Sequence, residues 1–271
     1  MQNSDHLLEL ALLIVNFQNL SHLAIKNKGF FQYSKVESHQ EFLHQISKIV
    51  RLKSLEINLQ EEGAWSTSES QHGYLQAYAN CVEALQELQD ISFTHSKYEK
   101  KEELDLLVAV LKKKGSRIKS LHLKFMDREN EINYLKKFSR TFKKLKNLEE
   151  LSTGGFFIKE RGLQRFRKAI LKLKWLRSLT LNPEDINLDL AAFTRIVREI
   201  LMKKGLEEFK WIGFLKIKEK GAEEVEPIDI QKVLLRNPRL RKIDFPTFIF
   251  PSQIEAFINL EAIPVYPQVF P

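Results

Sequence analysis

Cysteine is almost missing from this chain, and that scarcity already limits its class. The 271 residues contain one cysteine, Cys81, so no disulfide can form within the chain and a disulfide-stapled secreted scaffold is excluded. A reducing compartment is favoured, and we expect an intracellular, cytoplasmic protein. Cys81 lies beside an apolar helical stripe, which favours a small, half-buried packing residue over a reactive thiol.

Glycine, proline and long apolar runs are also scarce. The ten glycines and eight prolines form no linker-like tract, and 43% hydrophobic with 29% charged residues is typical of a globular protein. The apolar stretch at residues 7–15 contains Glu9, is too short to cross a bilayer, and lacks the positive charges of a targeting segment. We therefore expect no transmembrane segment and interpret residues 1–18 as a capping helix.

Motifs that would indicate catalysis are missing as well. Neither phosphate-binding glycine pattern occurs, and the Gly154–Gly155 pair lacks the lysine and the spacing of a phosphate loop, so we interpret it as a permissive turn. None of the seven histidines has a metal-ligand partner at close spacing, and no nucleophile elbow marks a Ser/His/Asp trio. The sequence thus predicts no enzyme, cofactor or metal site, with a catalytic site on the loops kept as a nominal alternative.

What the chain does contain is a repeat. The pattern Leu-x-x-Leu-x-Leu returns about every thirty residues, which is typical of a stacked array. Each copy alternates apolar and polar residues as a half-buried strand does, and helical apolar stripes lie between the copies. Strands joined by helical crossovers must be parallel. The middle anchors of the nine copies are Leu23, Leu55, Ile91, Leu121, Leu151, Leu179, Phe209, Ile243 and Ile263.

On these residues the chain resembles the leucine-rich repeat family, in its ribonuclease-inhibitor-like branch with long helix-containing repeats. The resemblance covers roughly residues 19–265 and implies an α/β solenoid, a horseshoe with a parallel inner sheet and outer helices. It implies one domain over 1–271, with about nine repeats, the cap helix at 1–18 and a C-terminal cap at 246–271. The asparagine or cysteine that usually follows the strand is replaced, for example by Gln60 and Ser96, so we expect irregular strand-to-helix turns.

The family implies protein–protein recognition, mostly through the inner sheet. The residues before and after each middle anchor point away from the core and are mostly small and polar. Trp65, in the long polar insertion at 60–73, is the candidate aromatic anchor, although it could equally pack back onto the array. A merely solvated sheet face is the alternative. The predicted partner-binding residues on the inner face and rim are Trp65, Glu56, Ser92, His122, Ser152, Thr180 and Lys210. We therefore predict a non-catalytic interaction or scaffold module that binds another protein.

Positive charge is concentrated in the middle of the chain. Residues 112–204 hold 25 Lys and Arg against 10 Asp and Glu, a net charge of +15 where the whole chain carries +8. The cations follow helical spacing opposite the core stripes, which predicts a band on the outer helices that could attract nucleic acid, acidic membrane surfaces or acidic protein segments. A nucleic-acid- or ribonucleoprotein-associated subunit is the alternative function, and a solvated helix face the alternative interpretation. The predicted basic patch is Lys136, Arg140, Lys143, Arg161, Arg165, Lys168, Lys172, Arg195 and Arg198, with Lys203 following.

Overall fold

Helices and strands alternate along the part of the chain that the structure describes. The computed structural model describes residues 3–17, 19–26, 36–59, 73–95, 101–125, 134–155, 157–183, 185–212, 217–218 and 228–245. Three predictions fall outside these ranges: the anchor Trp65, the repeat at Ile263 and the C-terminal cap at 246–271.

The helices are short and lie between successive strands of one large sheet. They are α1 (Asn3–Val15), α2 (Val36–Ile46), α3 (Tyr74–Ala84), α4 (Lys101–Lys114), α5 (Tyr134–Phe142), α6 (Glu160–Ile170), α7 (Leu190–Leu201) and α8 (Ile230–Arg236). The strands of the large sheet are β1 (His22–Lys26), β2 (Ser54–Leu59), β3 (Asp90–His95), β4 (Ser120–Phe125), β5 (Glu150–Gly154), β7 (Ser178–Asn182), β9 (Glu208–Trp211) and β11 (Lys242–Asp244). A 3₁₀ turn, Gly115–Arg117, follows α4.

The large sheet is parallel throughout, and its strands follow one another in chain order, β1-β2-β3-β4-β5-β7-β9-β11. The middle anchors lie in register across it: Leu23 with Leu55, Leu55 with Ile91, Ile91 with Leu121, Leu121 with Leu151, Leu151 with Leu179, Leu179 with Phe209 and Phe209 with Ile243. The predicted parallel sheet with alternating helices is therefore confirmed.

From β2 onward, the same pair of backbone hydrogen bonds lies at the start of each strand of the large sheet. The carbonyl oxygen of Lys119, for example, accepts the N–H groups of both Glu149 and Glu150 from the next repeat, at 2.7 and 3.0 Å. The pair recurs at the carbonyls of Ser21, Lys53, Gln89, Glu149, Arg177 and Glu207. Because one fixed acceptor precedes each large-sheet strand from β2 onward, a slip of one residue, which would turn the apolar set away from the core, would break both bonds.

The core lies between the large sheet and the helices. The anchors Leu55, Leu121 and Leu151 are at most 1% exposed, and the helical stripes that cover them are equally buried. Phe142 of α5 stacks on Phe138 and meets the edge of Phe166 from α6, with ring centroids 5.9 Å apart in the second pair. The opposite face of the sheet carries the alternate, polar side chains, and we call it the open face.

A second, smaller parallel sheet lies where we expected only irregular turns. It joins β6 (Phe157–Lys159), β8 (Asp185–Asp189) and β10 (Ile217–Lys218) in the order β10-β8-β6. Each of these strands comes soon after a strand of the large sheet. Backbone pairing between neighbouring repeats, such as Ile158 with Ile186, supplies hydrogen bonds at this point of the chain.

Two further expectations need adjustment at the residue level. Cys81 is 2% exposed, so it is a fully buried packing residue and not a half-buried one. Burial raises the pKa of its thiol to about 12, and the nearby Lys114 ammonium only partly opposes that effect. The predicted cap helix is present as α1, but several of its leucines and Phe17 stay exposed, so it does not seal the end of the array.

Candidate functional site

The open face presents its side chains in straight rows, because the strands are parallel and in register. One row, the first row, is His22, Ser54, Asp90, Ser120, Glu150, Ser178, Glu208 and Lys242. The next, the second row, is Ala24, Glu56, Ser92, His122, Ser152, Thr180, Lys210 and Asp244. Neighbouring residues of a row are separated by one strand spacing of about 4.8 Å.

A groove crosses these rows over strands β2 to β5. Its volume is about 520 Å³, and its floor includes Asp90, Ser92, Ser120 and His122. Ser54, Glu56 and Glu150 line its sides, with Lys119 and Glu149 where the strands begin. Small serines next to carboxylates leave room above the sheet, and this is what opens the groove.

The polar side chains in the groove are linked by hydrogen bonds. Ser120 Oγ lies 2.8 Å from His122 Nε2 and 3.2 Å from Glu150 Oε2. His122 Nε2 is itself 3.7 Å from Glu150 Oε2. The strand pleat explains the arrangement, since Ser120 and His122 are two residues apart on one strand and Glu150 is the register partner of Ser120.

This trio does not have the full arrangement of a catalytic triad. Ser120 Oγ lies within hydrogen-bond distance of both His122 Nε2 and Glu150 Oε2, and the imidazole tautomer decides which of them receives the hydroxyl proton. In a catalytic triad the imidazole accepts the serine proton and a carboxylate holds its other nitrogen. Here one imidazole nitrogen faces both partners, so the geometry favours a polar binding surface.

Asp90 is the electrostatic centre of the groove. Partial burial raises the pKa of its carboxyl group, and the nearby Glu150 carboxylate raises it further. His22, Lys119 and His122 lower the pKa of Asp90 and so oppose part of this rise. A cation placed above Asp90 and Glu150 would relieve their mutual repulsion.

Other charges on the open face already have partners. Glu56 pairs with Lys26 at 3.3 Å across β1 and β2, and Lys210 pairs with Asp244 at 3.1 Å across β9 and β11. All four side chains are at least one-third exposed, so each pair contributes on the order of 1 kcal/mol or less to stability. Within the groove over β2–β5, Glu150 lies 3.7 Å from His122, and its carboxylate is close enough to raise the pKa of Asp90.

The predicted inner-face residues fall in a single row. Glu56, Ser92, His122, Ser152, Thr180 and Lys210 are consecutive members of the second row, and the first three line the groove. The sequence-based choice did not include Asp90, Ser120 or Glu150. All three belong to the first row and could have been found from its concentration of carboxylates beside serines.

Most of the predicted basic patch lies exposed on α5, α6, α7 and the turns after them. The exposed members are Arg140, Lys143, Arg161, Arg165, Lys168, Lys172 and Arg195, whereas Arg198 is half-buried. None of the exposed members has an ion-pair partner within the described ranges. Lys136 belongs to α5, but its side chain lies outside the described residues.

Lys203 does not belong to this patch. It is 7% exposed, and its ammonium points at the carbonyl oxygens of Leu176 and Lys204, at 3.5 and 3.3 Å. The sequence-based placement was wrong because helical spacing alone does not reveal the unpaired carbonyls that draw a lysine inward at the end of a helix.

Other cations on the helical side join adjacent repeats. Lys113 pairs with Glu83, Lys137 with Asp105, and Arg167 with Glu199, each across neighbouring helices. These acids therefore neutralise cations outside the exposed patch and leave the patch itself positive.

Comparison with other proteins gives no relative from which a function could be transferred. The chain matches no model of a known protein family, and no curated protein matches it either. In the described ranges no helix combines the length and apolar character needed to cross a membrane. Nor do the described residues bring together three His, Cys, Asp or Glu side chains that could hold a metal ion.

Proposed function

We propose that this chain is a leucine-rich-repeat-type solenoid that acts as a non-catalytic protein-binding module, with its partner bound on the open face of the sheet. The observation that carries the proposal is the groove over β2–β5, where Asp90 and Glu150 lie two strands apart in one row, on either side of Ser120. A stacked array presents such a face without rearrangement, so little conformational entropy is lost on binding.

The chemistry of the groove favours a partner segment that carries a lysine or arginine. Two carboxylates in one groove, with the pKa of Asp90 raised in part by Glu150, gain most from a cation, whereas an anionic ligand would add to their repulsion. Ser92 and Ser120 leave space for the apolar stem of such a side chain and offer hydroxyl groups to the partner backbone.

A charge-reversal pair tests this function. Asp90→Lys should weaken capture of the partner about tenfold or more, because the incoming cation would meet a cation; tenfold corresponds to about 1.4 kcal/mol. Glu87→Lys makes the same chemical change at an exposed turn outside the groove and serves as the matched control. Quantitative mass spectrometry after affinity capture measures both variants against the native chain. A partner set retained equally by all three proteins would refute binding through the groove.

A nucleic-acid-associated function remains the second candidate, and the unpaired cations on α5–α7 favour it. Aligned like charges repel one another and weaken the fold unless a ligand neutralises them. This candidate predicts that Arg165→Glu and Lys168→Glu lower affinity for generic RNA at low salt, whereas Lys210→Glu on the open face does not. Affinity should also fall steeply as salt rises. Absence of RNA binding by the native chain at low salt would eliminate the candidate.

A further inference from the structure

The first repeat leaves exposed the positions that most later repeats bury. Phe17 is equivalent to Ile49 and Leu145, because in each case the N–H three residues later donates to its carbonyl oxygen. Ile49 and Leu145 are 6% and 0% exposed, whereas Phe17 is 63% exposed. The same backbone step places Leu85, Leu173, Lys203 and Asn237 at this position, and all of them are buried.

The rest of α1 follows the same pattern. Leu10 precedes Phe17 by seven residues, as Phe42 precedes Ile49 and Phe138 precedes Leu145; both phenylalanines are 1% exposed but Leu10 is 38% exposed. Leu13, on the same helical stripe, is 63% exposed. In later repeats the preceding repeat covers these positions. The side of the first repeat formed by Leu10, Leu13, Phe17 and β1 therefore has the character of a repeat-to-repeat contact, and we call it the free end.

The edge of the sheet at the free end has no neighbour among the described strands. Within them β1 pairs with β2 alone, so none of them satisfies the N–H and C=O groups of its other edge. Its sequence has no proline, and its one full charge, Lys26, already pairs with Glu56. Natural edge strands normally carry charges, prolines or bulges that prevent pairing, and β1 has almost none of these.

The charge and the area of the free end favour a second copy of the chain as its binding partner. Between Leu7 and Ala24 the only charged side chain is Glu9, which lies 3.4 Å from His6, so two free ends would meet without like-charge repulsion. A patch of this kind measures on the order of several hundred Å². Two such patches and a pair of strand edges approach the roughly 1,600 Å² total of a standard stable interface.

We propose that two copies of the chain associate through their free ends about a two-fold axis. Strand β1 of one copy pairs antiparallel with β1 of the other, centred on Ala24, so that Leu23 lies opposite Ile25. A two-fold contact uses the same surface twice and closes, whereas head-to-tail stacking would continue into a fibre. The contact extends the parallel sheet of each copy into one continuous sheet.

Sedimentation velocity over a dilution series tests the association. The native chain should show a concentration-dependent dimer, and Phe17→Asp should be monomeric. Leu235→Asp makes the same kind of change at an 83% exposed residue of α8, far along the array, and should dimerise like the native chain. Both residues are exposed, so neither substitution removes a core contact. The proposal would be overturned if the native chain stayed monomeric at every concentration. This holds also if its free end bound a different protein.

A cysteine variant tests the geometry separately. Antiparallel pairing centred on Ala24 brings the two Ala24 Cα atoms to about 4.5–5.5 Å, within the range of a disulfide. Ala24→Cys should therefore form a covalent dimer under mild oxidation, while Ser178→Cys, on the same face of an interior strand, should not. The native Cys81 is buried and does not interfere. No covalent dimer from Ala24→Cys, or equal amounts from both variants, would overturn the strand pairing.

Discussion

At the scale of single residues, buried polar side chains show what holds the ends of the helices. Asn237 is fully buried, and its amide nitrogen donates to the carbonyl oxygens of Leu201 and Leu206, at 3.1 and 2.8 Å. Lys114 donates to the carbonyl oxygen of Leu85 at 2.6 Å in the same way. Leu201 and Leu85 lie at the ends of α7 and α3, where a helix leaves carbonyls short of partners, and Leu206 lies in the turn before β9. Removing such a donor leaves a buried acceptor unsatisfied, at a cost of about 1–3 kcal/mol.

Lys203 differs from Asn237 and Lys114, because its hydrogen bonds to backbone carbonyls are long. The equivalent positions in other repeats hold apolar residues, for example Ile49, Leu85 and Leu145. We expect Lys203→Leu to raise the free energy of unfolding by about 1 kcal/mol at neutral pH, since a buried charge is replaced by an apolar side chain that the site accepts elsewhere. Urea titration measures the change. Lys204→Leu, at the exposed neighbour, is the control and should have little effect.

The same substitution has a pH signature. Burial lowers the pKa of Lys203 below its ordinary 10.5, so between the lowered value and 10.5 the unfolded chain binds more protons than the folded chain. The native protein therefore gains stability as pH rises through that window, and the advantage of Lys203→Leu should shrink there. A variant less stable than the native chain at neutral pH would show that the hydrogen bonds to Leu176 and Lys204 outweigh the desolvation of the ammonium.

At the scale of elements, the strands could be predicted from the sequence far better than their connections. The middle anchors that the structure describes, such as Leu121, all lie in strands of the large sheet, because residues that alternate with period two place one set on the covered face. The turn expected at the glycine pair is also present: Gly155 has φ of 75°, and its N–H donates to the carbonyl oxygen of Asn182 at 2.9 Å. Both features could be predicted from residues that are close together in the sequence.

The features that the sequence did not predict all depend on contacts between repeats. The small sheet of β6, β8 and β10 is held by backbone pairing, which leaves no side-chain pattern to recognise. The groove needs Ser120 and Glu150, thirty residues apart, to become register partners. The exposure of Phe17 depends on what packs against it, because the residue itself resembles any buried helix residue.

At the scale of the whole molecule, the chain is a series of strand and helix units, each covering the apolar side of the next. Stability in such an array is a sum over units and their contacts. Interior strands, such as β4, have a neighbour on both sides, and β1 has one. Partner binding over β2–β5 and dimerisation at the free end therefore use different surfaces and need not compete.

The stacked fold depends on the register between neighbouring strands, and paired cysteines measure that register directly. The double variant Ser152→Cys, Thr180→Cys places cysteines at register partners on β5 and β7. We expect this pair to form a disulfide rapidly within one chain. Ser152→Cys with Asn182→Cys lies two residues out of register, at about 8 Å, beyond the reach of a disulfide. Rapid closure of the second pair and not the first would contradict the stacked, in-register sheet.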